Sequence, residues 1–252
     1  MKTIFSVTYH QSKKLRPNGE EFLKNYIRTL RGSIDSDFGI VIVDNQSEIN
    51  LSKWCEDHRP EVLDYIRIED QSIGGLTGAW NAGIRRASEL GDIIINTNED
   101  LIFNSSINDF VSEIQSDNEN SKTIYGPLSN GVGELAHPHQ FSNCARDESN
   151  LLLRSSNMLK ERPGKGGWSE VLNGFFLGFT REFYHTFKSG HDLFPIDHKH
   201  NRGDGKWGGQ EGLMLEWAES GCMCKVIPRC WIDHAKIRSY RVARNHYGDG
   251  GL

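Results

Sequence analysis

The sequence predicts an α/β protein with a Rossmann-like, mostly parallel central sheet flanked by helices, and three observations carry that expectation. Short apolar runs alternate with amphipathic helical segments through the first half of the chain. Alternation of this kind builds a parallel sheet with right-handed crossovers. One run, Phe38 to Val43, is continuously apolar, as strands covered on both faces are. Finally, three runs end in polar clusters: Thr8-Tyr9-His10, Asp44-Asn45 and Asn98-Glu99-Asp100. Parallel sheets bind ligands beyond the carboxyl ends of their strands, so these clusters are expected along one edge.

The elements follow in order. Thr3 to Tyr9 reads as the first strand. Asn18 to Leu30 reads as a helix, with Asn18 as cap, Glu21 three residues on, and Phe22, Leu23, Tyr26, Ile27 and Leu30 on one face. Gly32 ends it. Val62 to Ile68 is a weaker strand. Leu76, Trp80, Ile84, Ala87 and Leu90 recur at helical spacing up to Gly91, and Asp92 to Thr97 is the next buried strand. The second half is less regular. A short helix is expected over Ser106 to Ile114 and a strand over Val171 to Phe179. Thr180 should cap a helix through Phe187, and Glu211 should open another that closes at Gly221. Lys225 to Pro228 and Trp231-Ile232 read as late strands.

Composition narrows the function. With 252 residues, 37% hydrophobic and 25% charged, the chain can bury a core and is not expected to be disordered. A net charge of −5 argues against a dedicated nucleic-acid binder. No apolar run approaches the roughly 20 residues a membrane span needs. The first residues turn polar too soon for a signal peptide, and the five cysteines are odd in number and fit no zinc spacing. A reducing, cytoplasmic setting is the simplest expectation. His137-Pro138-His139 and His198-Lys199-His200 lack companion ligands at zinc spacing.

Several motifs together resemble family 2 glycosyltransferases, which have the GT-A fold. Val43-Asp44-Asn45-Gln46-Ser47 is similar to that family's second-strand signature, and Gly75-Leu76-Thr77-Gly78-Ala79-Trp80-Asn81 to its glycine-rich helix start. Asn98-Glu99-Asp100 matches the acidic D-x-D position in its N-x-D form. Asn173-Gly174-Phe175-Phe176-Leu177 resembles the strand before the acceptor site. Trp207-Gly208-Gly209-Gln210-Glu211 is similar to the W-G-G-E-D turn of galactosyltransferase-like members, and His234 falls at a position often used for metal. The likeness runs from about Thr3 to His234. It departs at Trp80, where the family commonly has an arginine, at Gln210-Glu211 and at Asn98.

The resemblance implies a single GT-A domain, with residues 1–103 binding the nucleotide sugar, 104–235 the acceptor, and 236–252 forming a basic tail or flap. It implies transfer, by inversion, from a nucleoside diphosphate sugar donor, UDP favoured, with a divalent ion (Mn²⁺ or Mg²⁺), to a glycan, protein or other hydroxyl acceptor; the alternatives are a retaining transferase of the same fold and a catalytically silent sugar-nucleotide or glycan-binding module. Asp100 and His234 are then expected to hold the ion, because Mn²⁺ accepts both oxygen and imidazole ligands. The alternatives are a turn-capping carboxylate and a packed core histidine. Asn98 is expected to reach the ribose or a water on the ion. Asp44 could accept from a base imide, with Thr8 and Tyr9 cradling the ring, or simply end its strand. Gly75 would let the backbone approach the donor, or only make a tight turn. Trp80 lies on the apolar helical stripe and reads as core.

On the acceptor side, Glu211 is the candidate general base, since an inverting transfer needs a carboxylate beside the acceptor hydroxyl. The bland reading is a first-turn glutamate at a helix dipole. Gly208-Gly209 favours the catalytic reading, and Gln210 shares that turn. Trp207 could be a sugar platform, and Asp192 and Asp197 could touch either sugar. Lys236 and Arg238, with Arg241 and Arg244, could close over the diphosphate or remain a solvated tail. Arg146 to Lys165 is a second basic stretch, read most simply as a solvated loop.

Overall fold

The structure is a computed structural model and describes residues 1–13, 16–70, 75–130, 139–140, 167–197 and 209–234. Its elements, in chain order, are β1 (Thr3–Tyr9), α1 (Gly19–Arg31), β2 (Phe38–Asn45), α2 (Ser52–Asp57), β3 (Val62–Ile68), α3 (Gly75–Leu90), β4 (Ile93–Asn98), β5 (Leu101–Ile102), α4 (Ile107–Ser116), β6 (Thr123–Ser129), β7 (Gly167–Ser169), β8 (Phe176–Thr180), α5 (Arg181–Phe187), α6 (Gly209–Glu219) and β9 (Met223–His234).

The nine strands form one mixed sheet in the order β3-β2-β1-β4-β8-β6-β9-β5, with β7 beside β9. Its first four strands are parallel, as expected. The second half turns the sheet mixed: β8 runs antiparallel to β4 and β6, and β5 and β7 run antiparallel to β9. Strand alternation explains the two-sided core. On β1, Phe5, Val7 and Tyr9 join one apolar cluster with Leu23, Tyr26 and Ile27 of α1, while Ile4 joins the other with Ile84 and Ala87 of α3. At Gly83, a β-carbon would stand 2.1 Å from Ser6 Oγ, which is why α3 can lie so close to β1.

Several boundaries differ from the expectation. Asn18 makes no side-chain cap, and Gly32 ends α1 in the right-handed region rather than the left-handed one. Thr180 caps α5 as expected, accepting from the Phe183 N–H at 3.1 Å. Strand geometry begins only at Phe176, and the two late strands are one, β9, with a register shift where it pairs with Pro127 and Leu128 of β6. β6 itself was not anticipated: Gly126 and Pro127 break the apolar pattern, and the proline sits at that irregularity, where a missing N–H is tolerated. No helix among the described residues is long and apolar enough to cross a membrane.

Candidate active site

Register fixes the edge at which the polar clusters meet. Tyr9 is opposite Asp44, and Thr8 is opposite Asn98, so the carboxyl ends of β1, β2 and β4 lie side by side. Just past β4, the chain makes the short strand β5, and Leu101 pairs with His234 at the end of β9. This brings Asp100 Oδ1 to 3.3 Å from His234 Nε2. The imidazole stacks on the Phe175 ring at 5.0 Å and 12°. Its backbone N–H donates to Asn130 Oδ1 at 2.9 Å, and Asn130 in turn donates to Asp233 Oδ1 at 2.6 Å, so the end of β9 is tied in place.

Asp100 was expected at the ligand-binding edge of the sheet, where a bound ion needs an open approach. Instead its side chain is only 2% exposed, against 15% for His234, so the histidine side is the more open approach. Glu99 is equally enclosed and pairs with Arg16, on the loop after β1, which is 26% exposed. Burial works against the Arg16 charge, but Glu99 and Asp100 together hold its pKa above the ordinary value. Nothing in the sequence singled out Arg16: it sits in a short basic stretch indistinguishable from a solvated loop.

Asp44 also differs from the expectation of a free acceptor for a base. It is fully buried. Its Oδ1 accepts from the Ser47 N–H at 2.8 Å, and its Oδ2 accepts from Tyr65 Oη at 2.6 Å and Arg67 Nη1 at 2.7 Å. Burial, and then the bond to Asp44, push the Tyr65 phenol up to about 12, so it stays a donor. Arg67 also donates to the Ser47 carbonyl at 2.9 Å. Asp44 therefore organises Tyr65, Arg67 and the turn after β2. Tyr9 donates to Gln11 Oε1 at 2.5 Å and is raised, chiefly by burial and then by Asp44.

The segment 173–175 links this edge to α6. The Phe175 carbonyl accepts from the Asn98 N–H at 3.3 Å. A β-carbon on Gly174 would stand 2.4 Å from Trp80 Cη2 and 3.0 Å from Gln210 Nε2. Trp80 is thus core, packed against Phe194 at 5.8 Å. Gly209 opens α6, Gln210 is buried, and Glu211 is half-buried in the first turn. Gly75, the first residue of α3, has φ +56°, a conformation that favours glycine.

Asp192 does not join this group. It turns back on Ser189 beyond α5, beside Tyr184, whose hydroxyl donates to the His191 carbonyl at 2.8 Å. That helix starts at Thr180, opposite Ile93 at the start of β4, which is the other edge of the sheet. Asp197 lines a cavity of about 550 Å³ with Phe187, Pro195, Leu213 and Trp217, on the α5–α6 side. Trp207, Lys236, Arg238, Arg241 and Arg244 lie outside the described residues, as do Gly208 and the stretch 146–165.

The donor set suits a hard or borderline cation delivered by its ligand. Asp100 supplies a carboxylate and His234 an imidazole. Asn98 Oδ1, Thr8 Oγ1 and His234 Nδ1 are buried atoms with no hydrogen-bond partner among the described residues. Orphaned polar atoms are costly, and these three could be satisfied by a polar ligand at this edge. No cluster of three or more His, Cys, Asp or Glu occurs among the described residues. Mg²⁺ is commonly held by one or two carboxylates plus substrate phosphates, so Asp100, with His234 beside it, could hold such an ion only together with a phosphate ligand.

A mixed sheet with a parallel half, an N-x-D sequence ending its central strand and a histidine returned to it by a late strand define a GT-A-type glycosyltransferase architecture. The sequence matches glycosyl transferase family 2 over residues 14–173, more than half of the chain, and the protein belongs to that family. No curated protein matches by sequence. Among solved structures, GalNAc-T7 with UDP, GalNAc and Mn²⁺ superposes with a TM-score of 0.65 at 17% identity, covering 93% of this chain and 43% of that one. The mannosyltransferase PcManGT from Pyrobaculum calidifontis, in complex with GDP-Man and Mn²⁺, gives 0.60 at 14% identity, covering 98% and 60%. S. aureus TarS 1-349 gives 0.58 at 14% identity, covering 97% and 64%. The chain thus spans less than two thirds of the length of each, and at these identities the likeness shows the fold.

Proposed function

We propose that the protein transfers a sugar from a nucleoside diphosphate sugar, with UDP the favoured nucleotide, to an acceptor hydroxyl, by inversion and with Mn²⁺ or Mg²⁺. The observation that carries this reading is the meeting of Asp100 and His234, distant in sequence, at the carboxyl edge of the parallel strands. Bound neighbours with UDP or GDP-Man and Mn²⁺ support the class of donor and ion.

In this reading, Asp100 and His234 would hold the ion, and the donor diphosphate completes its shell. The ion would supply Lewis-acid stabilisation of the charge that builds on the departing diphosphate. Asn98 offers Oδ1 to the donor, Thr8 stands beside it at the same edge, and Asp44 shapes the base side through Tyr65 and Arg67; Tyr9, expected to cradle the ring, is instead buried in the core with its hydroxyl on Gln11 and backs that edge from within. Gly75 lets the start of α3 approach the donor. Glu211 takes the acceptor proton as the new glycosidic bond forms and the bond from the sugar to phosphate breaks. Gly209, Gln210 and Trp207 form the acceptor side. Lys236 and Arg238 are proposed to meet the diphosphate.

Titration calorimetry of UDP, GDP and TDP, with and without Mn²⁺, tests the reading. UDP is expected to bind most tightly, and more tightly with the ion. Asp100→Ala is expected to lose both that ion dependence and hydrolysis of the donor sugar. If no nucleotide gains affinity from the ion, the proposal fails.

A further inference from the structure

We propose that Arg16 is a donor-site residue with two partners: Glu99 while the site is empty, and the donor diphosphate once metal and nucleotide are bound. The inference rests on the donor reading above and extends it to a residue that no motif contains.

Arg16 sits on the loop between β1 and α1, and so at the same sheet edge as Thr8 and Asn98. Its guanidinium contacts Glu99, and both Glu99 and Asp100 bear on its charge. The two carboxylates are almost fully buried at the end of one strand. Such a pair needs a cation nearby, because burying like charges without compensation is costly. Arg16 supplies that cation. It is also a quarter exposed, unlike its partner, so it can turn without unpacking a core.

A divalent ion arriving alone meets the same carboxylates and the repulsion of Arg16. A metal–nucleotide complex brings the negative diphosphate as well. Arg16 then faces an anion, which a guanidinium binds through paired N–H donors. Arg16 should therefore oppose the free ion and favour the loaded one. Through that difference, the site would take up metal together with donor rather than before it.

The test reads the two bindings separately. Free Mn²⁺ is counted by electron paramagnetic resonance without nucleotide, and UDP affinity is measured by calorimetry at saturating Mn²⁺. Arg16→Gln is expected to bind Mn²⁺ alone about tenfold more tightly, and UDP in the presence of Mn²⁺ about tenfold more weakly. Arg16→Lys should stay closer to the parent in both. A purely structural residue would weaken both bindings together. Changes of the same sign, or no change, overturn the assignment. Should Arg16→Gln not fold, Glu99→Gln reports the same contact from the other side. By releasing Arg16, it should tighten metal-free UDP binding several-fold, and no tightening overturns the assignment. A parent protein whose UDP affinity ignores Mn²⁺ would instead remove the donor reading itself.

Discussion

Gly174 offers a sharp test of how the start of α6 is positioned, because its role is one of space. It is not among the glycines with positive φ, so alanine fits its backbone. A methyl group there would stand 2.4 Å from Trp80 Cη2, 3.0 Å from Gln210 Nε2 and 3.1 Å from Trp80 Cζ3. Trp80 is buried against Phe194 and has little room to retreat. Overpacking of this kind costs about 1–3 kcal/mol, which in a domain of this size lowers Tm by roughly 5 °C. The softer neighbour is Gln210, and displacing it moves the first turn of α6, where Glu211 stands. A shift of about 1 Å in a positioned group can lower turnover roughly 100-fold. Gly174→Ala should therefore lower Tm and kcat while leaving UDP affinity close to the parent. Trp80→Phe removes the two clashing ring atoms, so the alanine should cost less in that background, with a coupling energy above about 1 kcal/mol. Differential scanning calorimetry and a transfer assay on all four proteins complete the cycle. An unchanged Tm for Gly174→Ala, or equal costs in both backgrounds, would refute the wedge.

Other expectations follow from single sites. Glu211→Gln keeps the shape of the first turn but removes the proposed base, so transfer should fall by about 10²–10⁴-fold with nucleotide affinity retained; equal loss of both would make Glu211 structural. Asp117 is 12% exposed and accepts from Lys225 Nζ at 2.9 Å and from the Glu119 N–H at 2.9 Å. Burial pushes its carboxyl up, but these donors outweigh burial and hold it below its ordinary 3.8. A depressed carboxylate stabilises the fold above its unfolded value, and that stability is lost as pH falls through the lower folded value. Urea unfolding should thus show Asp117→Asn to be less stable than the parent by roughly 1 kcal/mol at pH 7, with the gap closing below about pH 4. A gap independent of pH would mean that the pairing contributes nothing.

The sequence revealed the parallel half well, because strands buried on both faces leave continuous apolar runs and the intervening helices are strongly amphipathic. Its three polar clusters met where the topology rule put them. β6 was illegible because Gly126 and Pro127 interrupt its pattern, and only its pairing with β8 and β9 makes it a strand. Two site features also escaped. Arg16 is one of several cations in a loop, and only the fold brings it to Glu99. The saturation of Asp44 depends on Tyr65 and Arg67, which alternate on a neighbouring strand and carry no local signal of a shared partner. Asp192 shows the converse difficulty: a carboxylate in a loop looks alike at either edge of a sheet, and only the fold shows that its loop follows a helix that begins beside the start of β4.

The buried acids at this edge do not all serve one purpose, and stability can separate them. Buried ion pairs are rarely the most stable solution, so their presence in an otherwise apolar sheet calls for a reason. Asp44 is held by a backbone amide, a phenol and a guanidinium, all donors to the charged form. Asn in its place would turn an amide group towards at least one of these donors and leave Arg67 without its carboxylate, at a cost of about 2–4 kcal/mol. Asp100 instead faces an imidazole, a group able to exchange a proton partner for a metal ion. Asparagine can still bond to that ring while shedding a buried charge, so Asp100→Asn should cost no more than about 1 kcal/mol. The pair of variants, compared by urea unfolding and by Mn²⁺-dependent UDP binding, should therefore cross: Asp44→Asn loses the more stability, and Asp100→Asn the more ion dependence. Equal losses of stability would mean that Asp100, like Asp44, is there to hold the fold, and the metal assignment at the end of β4 would lose its ground.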